Sequence, residues 1–321
     1  VLIIAECHHL PDRPWSGDTD RVAATPDTGD GLDLDRQVAG PAGPAGPAAE
    51  RRGGFGPFVT FIEVERPDGL LSRWDSRRHR KQSIHHGGPE DPTWWAPTDR
   101  SWWIAILFMV GSALFALGAV PGYSGTVGIR ADSVTFFIGS LFFTSAGFLQ
   151  YRESVDAGVV DEPRGWGRVF VYRPRQIDWW ASGIQLVGTL YFNLSTGVAL
   201  QQDLTAQAAA RHVWRPDAIG SVCFLVASGL AWFEVCRGWL AWMPDTISWW
   251  ITALNLVGSV AFGVSAVAAF IVPSTGQLWH AELSNLGTFV GALCFLVGAF
   301  LLLPERTTGT EPSAPPPPTG A

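Results

Sequence analysis

Hydrophobic and polar positions divide the chain into a polar first third and an apolar remainder. Between residues 101 and 303 lie six apolar runs, charged only near their ends: 101–121, 133–152, 178–200, 217–236, 248–272 and 283–303. Each is close to the roughly 20 residues that cross a bilayer's hydrocarbon as a helix. All six carry one short pattern: a Gly, a small residue next to it, a Phe four positions on and a small residue seven on. The copies are Gly111-Ser112…Phe115…Gly118, Gly139-Ser140…Phe143…Ala146, Gly188-Thr189…Phe192…Ser195, Gly220-Ser221…Phe224…Ala227, Gly258-Ser259…Phe262…Ser265 and Gly291-Ala292…Phe295…Gly298. On a helical wheel these positions fall within about 60° of one another, forming a single stripe. Gly and the small residue let a neighbouring backbone approach, and Phe fills the space that remains. The pattern predicts packing rather than a cofactor box, in an all-α membrane protein of six transmembrane helices arranged as three pseudo-repeated helical hairpins.

The hairpins repeat at a coarser level. The odd runs open with Ser101-Trp102-Trp103, Asp178-Trp179-Trp180 and Ser248-Trp249-Trp250. Ser or Asp there is expected to cap the first helical turn, with the Trp pairs at the membrane interface. On the even runs a Glu stands fourteen residues after each Gly: Glu153, Glu234 and Glu305. An Arg lies within three residues of each: Arg152, Arg237 and Arg306. The Glu lies about 40° from the Gly on the wheel, so it points towards neighbouring helices. It also sits at a helix C-terminus, where the macrodipole disfavours an anion. Two readings stand: Glu–Arg clamps that hold the hairpins together, or an ion or ligand site. Gln185 and Asn255 occupy matching positions five after the Trp pairs, where the first repeat has Phe108. With Asn193 they are the intramembrane polar residues, expected to hydrogen-bond across helices, a polar cavity lining being the alternative. The Asn193-Leu194-Ser195 sequon lies within a span and is expected to be unused.

Outside the runs, residues 1–56 read as a disordered Gly/Pro-rich tail, since Gly40–Pro47 is low-complexity and little apolar surface offsets ordering entropy. Residues 57–97 read as a small hairpin and a basic juxtamembrane segment. In it Phe58–Val64 and Leu70–Trp74 form strands about an Arg66–Gly69 turn. A lone hairpin is marginal and needs a partner surface. Residues 98–306 form the transmembrane domain, and 307–321 a disordered Pro-rich tail. The opening Val1–Ala5 run is too short for a signal-peptide core, so insertion is expected to use an internal helix. Thirteen basic residues lie on one side of the spans (six in 73–100, Arg152, four in 153–177, Arg237 and Arg306). Three lie on the other, Arg130, Arg211 and Arg215. By the positive-inside rule both termini are cytoplasmic.

The net charge of −7 argues against a nucleic-acid partner. Cys7, Cys223, Cys236 and Cys294 lack metal-site spacing and read as packing residues. No Asp, Glu, Lys, Arg or His lies at mid-depth in any span, and no zinc, haem or phosphate-loop motif is present, so neither enzymatic activity, nor a metal, nor a cofactor is expected. His212 and His280 read as interface residues. The Gly-Ser-x-x-Phe helical pairs resemble the YrhK-like domain, a two-helix membrane module. Residues 175–199, 214–235 and 248–305 are also similar to uncharacterised actinobacterial multi-span membrane proteins. The resemblance implies a bacterial plasma membrane and carries over no functional residues. The expected partners are the lipid bilayer and either further copies of the chain or another membrane protein. The expected role is non-enzymatic, structural or partner-binding. The alternative is a small-ion or solute channel or transporter with a ring of Glu at its cytoplasmic mouth.

Overall fold

The computed structural model describes residues 50–65, 71–77, 94–156, 171–201, 203–236 and 242–307. The expectations for 1–49, for the turn at 66–69, for most of the basic cluster, for Arg237 and for 308–321 lie outside those residues.

Six long helices occur among the described residues: α1 (Arg100–Gly118), α2 (Ile129–Asp156), α3 (Ile177–Val198), α4 (Ala206–Cys236), α5 (Ile247–Ala268) and α6 (Ala281–Thr307). A π-helical turn, Ala210–Trp214, interrupts the start of α4. All except α3 are long and apolar enough to cross a membrane. At 22 residues α3 has the length, but Asp178, Gln185 and Asn193 make it more polar.

The helices pack as pairs, α1 with α2, α3 with α4 and α5 with α6. The pairs meet through α2–α3, α4–α5 and α6–α1, which closes a ring. Inside each pair two glycines face each other, and no side chain fits between them. A Cβ on Gly188 would lie 3.1 Å from the Gly220 carbonyl oxygen and 2.9 Å from the Phe224 ring. One on Gly220 would lie 3.1 Å from the Gly188 oxygen and 2.8 Å from Phe192. The same reciprocal contact joins Gly258 to Gly291, while a Cβ on Gly111 would meet the Gly139 carbonyl and Phe143, and one on Gly139 would meet Phe115 and Leu114.

Close approach of the backbones turns one Phe from each helix into the centre. Phe115, Phe143, Phe192, Phe224, Phe262 and Phe295 form a single cluster, each at most 6% exposed. Their contacting ring centroids lie 5.1–6.4 Å apart, mostly edge to face, the geometry that aromatic quadrupoles favour. The residues after the glycines (Ser112, Ser140, Thr189, Ser221, Ser259, Ala292) are buried beside them. One position further on, Leu141, Leu190, Val222, Val260 and Leu293 point outwards and are exposed. Small and hydroxylic residues thus lie inside and large aliphatics outside, which suits hydrocarbon surroundings rather than water.

Hydroxyls and one amide join neighbouring pairs. Ser140 bonds Thr196 at 2.9 Å, Ser154 bonds Ser182 at 2.8 Å, Ser228 bonds Ser259 at 2.7 Å, and Asn193 Nδ2 donates to Thr144 Oγ1 at 2.8 Å. Asn193 therefore bonds across helices as the sequence predicts.

The entries to α1, α3 and α5 share one turn. Trp103, Trp180 and Trp250 each donate their indole N–H to a proline carbonyl six residues earlier, at Pro97, Pro174 and Pro244. Within each Trp pair the rings lie 4.9–5.0 Å apart and nearly perpendicular. Trp95, Tyr172 and Trp242 close against the first Trp of each pair. Ser101, Asp178 and Ser248 are not the helix caps, a correction to the expectation above. Asp99 caps α1, accepting from the Ser101 N–H at 2.9 Å, while Gln176 and Thr246 hold the cap positions of α3 and α5 without a side-chain cap bond. The shared turn moves each helix start one or two residues upstream.

Several other boundaries differ from the sequence reading: α2 extends beyond 133–152 at both ends, α4 starts at Ala206, and α1 and α5 end at Gly118 and Ala268. Pro304 does not end α6, which runs on to Thr307. Its last turn is fixed by tertiary bonds to Glu305 and Arg306. Glu50–Phe55, within the stretch read as a disordered tail, forms strand β1, joined by β2 (Phe58–Glu65) and β3 (Leu71–Asp75) in an antiparallel sheet of order β1-β2-β3. Glu50–Phe55 is too polar and Gly-rich to look like a strand alone; pairing with the edge of β2 orders it. A bulge falls between Gly53 and Gly54, where a Cβ on Gly54 would collide with the Phe58 carbonyl. Gly56 turns the chain with φ 54°. The partner surface that the sheet needs is the bundle, since β1 touches α4.

Candidate functional site

Between the Phe cluster and the Trp-pair end, the inside of the ring opens into a cavity of about 80 Å³. That is room for several waters. The three matched positions, Phe108, Gln185 and Asn255, all line it, as do Glu153, Glu234 and Asp178. Phe295 of the Phe cluster and Phe108, which packs on Phe143, also line it. One feature of the wall follows from the repeating glycines. Gly298 leaves the space that the Asn255 amide fills, since a Cβ there would come within 2.9 Å of Asn255 Oδ1.

The three glutamates are buried at this end, at 2%, 3% and 9% exposure for Glu153, Glu234 and Glu305. Residues that the sequence reading did not single out as site residues reach two of them. Ser76 and Arg77, immediately after β3, come down onto the end of the ring. The Ser76 hydroxyl donates to Glu234 Oε1 at 2.9 Å. The Arg77 guanidinium donates from Nε to Glu305 Oε1 at 3.0 Å and from Nη2 to Oε2 at 3.2 Å. Ser248 Oγ also donates to Glu305 Oε1, at 2.5 Å. These donors answer the unfavourable helix dipole at a C-terminal carboxylate.

The arginines beside the glutamates reach aspartates. Arg306 Nη1 donates to Asp99 Oδ2 at 3.0 Å. Arg152 Nη2 reaches Asp156 Oδ1 at 3.4 Å, and Arg100 Nη1 reaches Asp156 Oδ2 at 2.6 Å. The start of α1 is thereby tied to the ends of α2 and α6, closing the ring where its first and last helices meet. These ion pairs form a clamp in which Asp99 and Asp156 are carboxylates that the sequence reading did not single out. Buried ion pairs fix geometry more than they add stability, because each charge has first to be desolvated.

Chemically, the cavity is an anionic pocket with amides and hydroxyls on its walls and a guanidinium at its mouth. Among the described residues no group of three or more His, Cys, Asp or Glu is placed to hold a metal ion. His212 and His280 are exposed at the opposite end, and Cys223 and Cys294 are free thiols. In the sequence, Asp99 and Asp156 carried no recurring offset, and Arg77 was indistinguishable from its basic neighbours. The aromatic-x-Pro-x₄-Trp-Trp turn, in contrast, is visible three times in the chain. Comparison with family models, curated proteins and solved structures finds no match.

Proposed function

We propose that the chain is a six-span integral protein of the bacterial plasma membrane, made of three repeated hairpins with both termini in the cytoplasm. Its role is non-enzymatic: it organises or binds partners in or at the membrane. The observation that carries this reading is the axial cluster of six phenylalanines, which leaves the middle of the bundle without a polar path. The crossing of α3 is supported by its place in the ring between α2 and α4, both of membrane length, and by its exposed Val187, Leu190 and Leu194. Orientation rests on the excess of basic residues at the Trp-pair end. Kinship with the YrhK-like module rests on the Gly-Ser-x-x-Phe pairs. The N-terminal region is the contact surface, and the partners are the bilayer together with a second copy or another membrane protein.

Reporter fusions after residues 125, 208 and 278 are expected to read outside, and those after 165, 242 and 310 inside; a mixed pattern overturns the six-span arrangement. Removal of residues 1–97 is expected to reproduce the phenotype of a full knockout. Full function of the truncated protein would overturn the contact-surface role.

The cavity favours a second reading, a channel or transporter for a small ion or solute with Glu153, Glu234 and Glu305 at its mouth. It predicts flux through reconstituted vesicles that the triple Glu→Gln variant loses.

A further inference from the structure

We infer that the acidic cavity is a guanidinium site whose occupant is the chain's own Arg77, and that this contact latches the N-terminal β-sheet across the end of the helical ring. The inference is independent of whether the bundle binds partners or moves solutes.

The first support is the geometry at Glu305. Nε and Nη2 of Arg77 each meet a different carboxylate oxygen, at 3.0 and 3.2 Å. That parallel fork belongs to a guanidinium; an ammonium or a spherical cation cannot reproduce it. The second is burial. The Arg77 side chain is 12% exposed and that of Glu305 8%, so the pair is held largely out of water, where its loss is felt. The third is the company Arg77 keeps, for it lines the same cavity as Glu153 and Glu234. The fourth is the tether. Ser76 binds Glu234 of the second helix pair while Arg77 binds Glu305 of the third, so two consecutive residues bridge two pairs. Both follow directly on β3, which ends at Asp75. The sheet cannot leave the ring without drawing the guanidinium out.

Exposed carboxylates with a cavity behind them then remain. The vacated site is shaped for a small planar cation, and free guanidinium ion is the probe for it. The latch is therefore a competition between a tethered guanidinium and free ones.

The test is thermal unfolding of the full-length protein in detergent, with guanidinium chloride at low millimolar concentration compared with sodium chloride and tetramethylammonium chloride at equal ionic strength. Wild type is expected to show the same Tm in all three salts, because its site is filled. Arg77→Ala is expected to unfold at lower temperature and to regain a few degrees, saturably, in guanidinium alone. The Arg77→Ala, Glu305→Gln double variant is expected to lose that response. A response of Arg77→Ala that equals wild type, or that sodium reproduces, overturns the inference. Should Arg77→Ala fail to fold, Arg77→Lys keeps the charge but not the fork. Spin labels at Val59→Cys and Tyr172→Cys, with the native cysteines replaced by Ala, then report the position of the sheet. One narrow distance in the parent that broadens with Arg77→Lys supports the latch; an unchanged distribution overturns it.

Discussion

The middle of the ring and its Trp-pair end are built from the same six helices, yet different forces hold them. At mid-bundle Gly188 and Gly220 meet backbone to backbone, and the rings of Phe192 and Phe224 pack 5.1 Å apart beside them. About 21 Å further along α4, Glu234 is bound by a serine from outside the bundle. Contact in the first region joins the two helices of a hairpin at the glycines and the hairpins at the rings, and depends chiefly on shape. Contact in the second comes from remote segments and depends on charge and hydrogen bonding. Shape-based packing fixes a scaffold and tolerates no change of volume. The polar end has alternatives available to it, such as another cation or a displaced sheet, and is therefore where binding and regulation have physical room.

The largest effect that separates the regions is expected from Phe224→Ala. This ring is 1% exposed and touches Phe143, Phe192, Phe262 and Phe295. Its removal should cost about 3–5 kcal/mol, read by reversible unfolding in mixed micelles. A loss as small as that of a surface substitution would mean that the cluster is not the keystone of the fold. Next comes Asp99→Ala at the polar end, which removes both the cap of α1 and a carboxylate from Arg306. About 2–4 kcal/mol is expected. Because the Arg306 side chain is 3% exposed, the loss should change little between low and high salt.

Gly220→Ala places a methyl group against Phe192 and the Gly188 carbonyl and should cost about 1–3 kcal/mol. Gly229→Ala, nine residues on in the same helix, meets nothing within 4 Å and should be neutral or up to about 1 kcal/mol stabilising. Equal effects at the two glycines would remove the claim that backbone contact, rather than helix propensity, selects Gly220. The smallest destabilisation is expected from Trp180→Phe, which loses one indole bond to the Pro174 carbonyl, worth about 0.5–1.5 kcal/mol. The same change at Trp103 and Trp250 should match it.

What could be read from the chain follows the same division. The Gly, Phe and small-residue offsets were legible because they repeat inside one helix, and helix geometry converts offset directly into a shared face. The matched positions of Gln185, Asn255 and Phe108 were legible for the same reason. Strand β1 was not, because Glu50–Phe55 becomes a strand only beside β2. Nor was the role of Arg77, since its partner Glu305 lies 228 residues away and no local spacing encodes that distance. The aspartate partners of Arg152 and Arg306 were not legible either, because Asp156 and Asp99 carry no offset that recurs along the chain.

Whether the axis is sealed is most directly tested by cation flux into vesicles holding the wild-type protein, across monovalent cations that include guanidinium. Flux no greater than through protein-free vesicles is the result expected of a ring closed by six phenyl rings. Steady, protein-dependent flux of any of these cations would contradict it and make the cavity the mouth of a pathway.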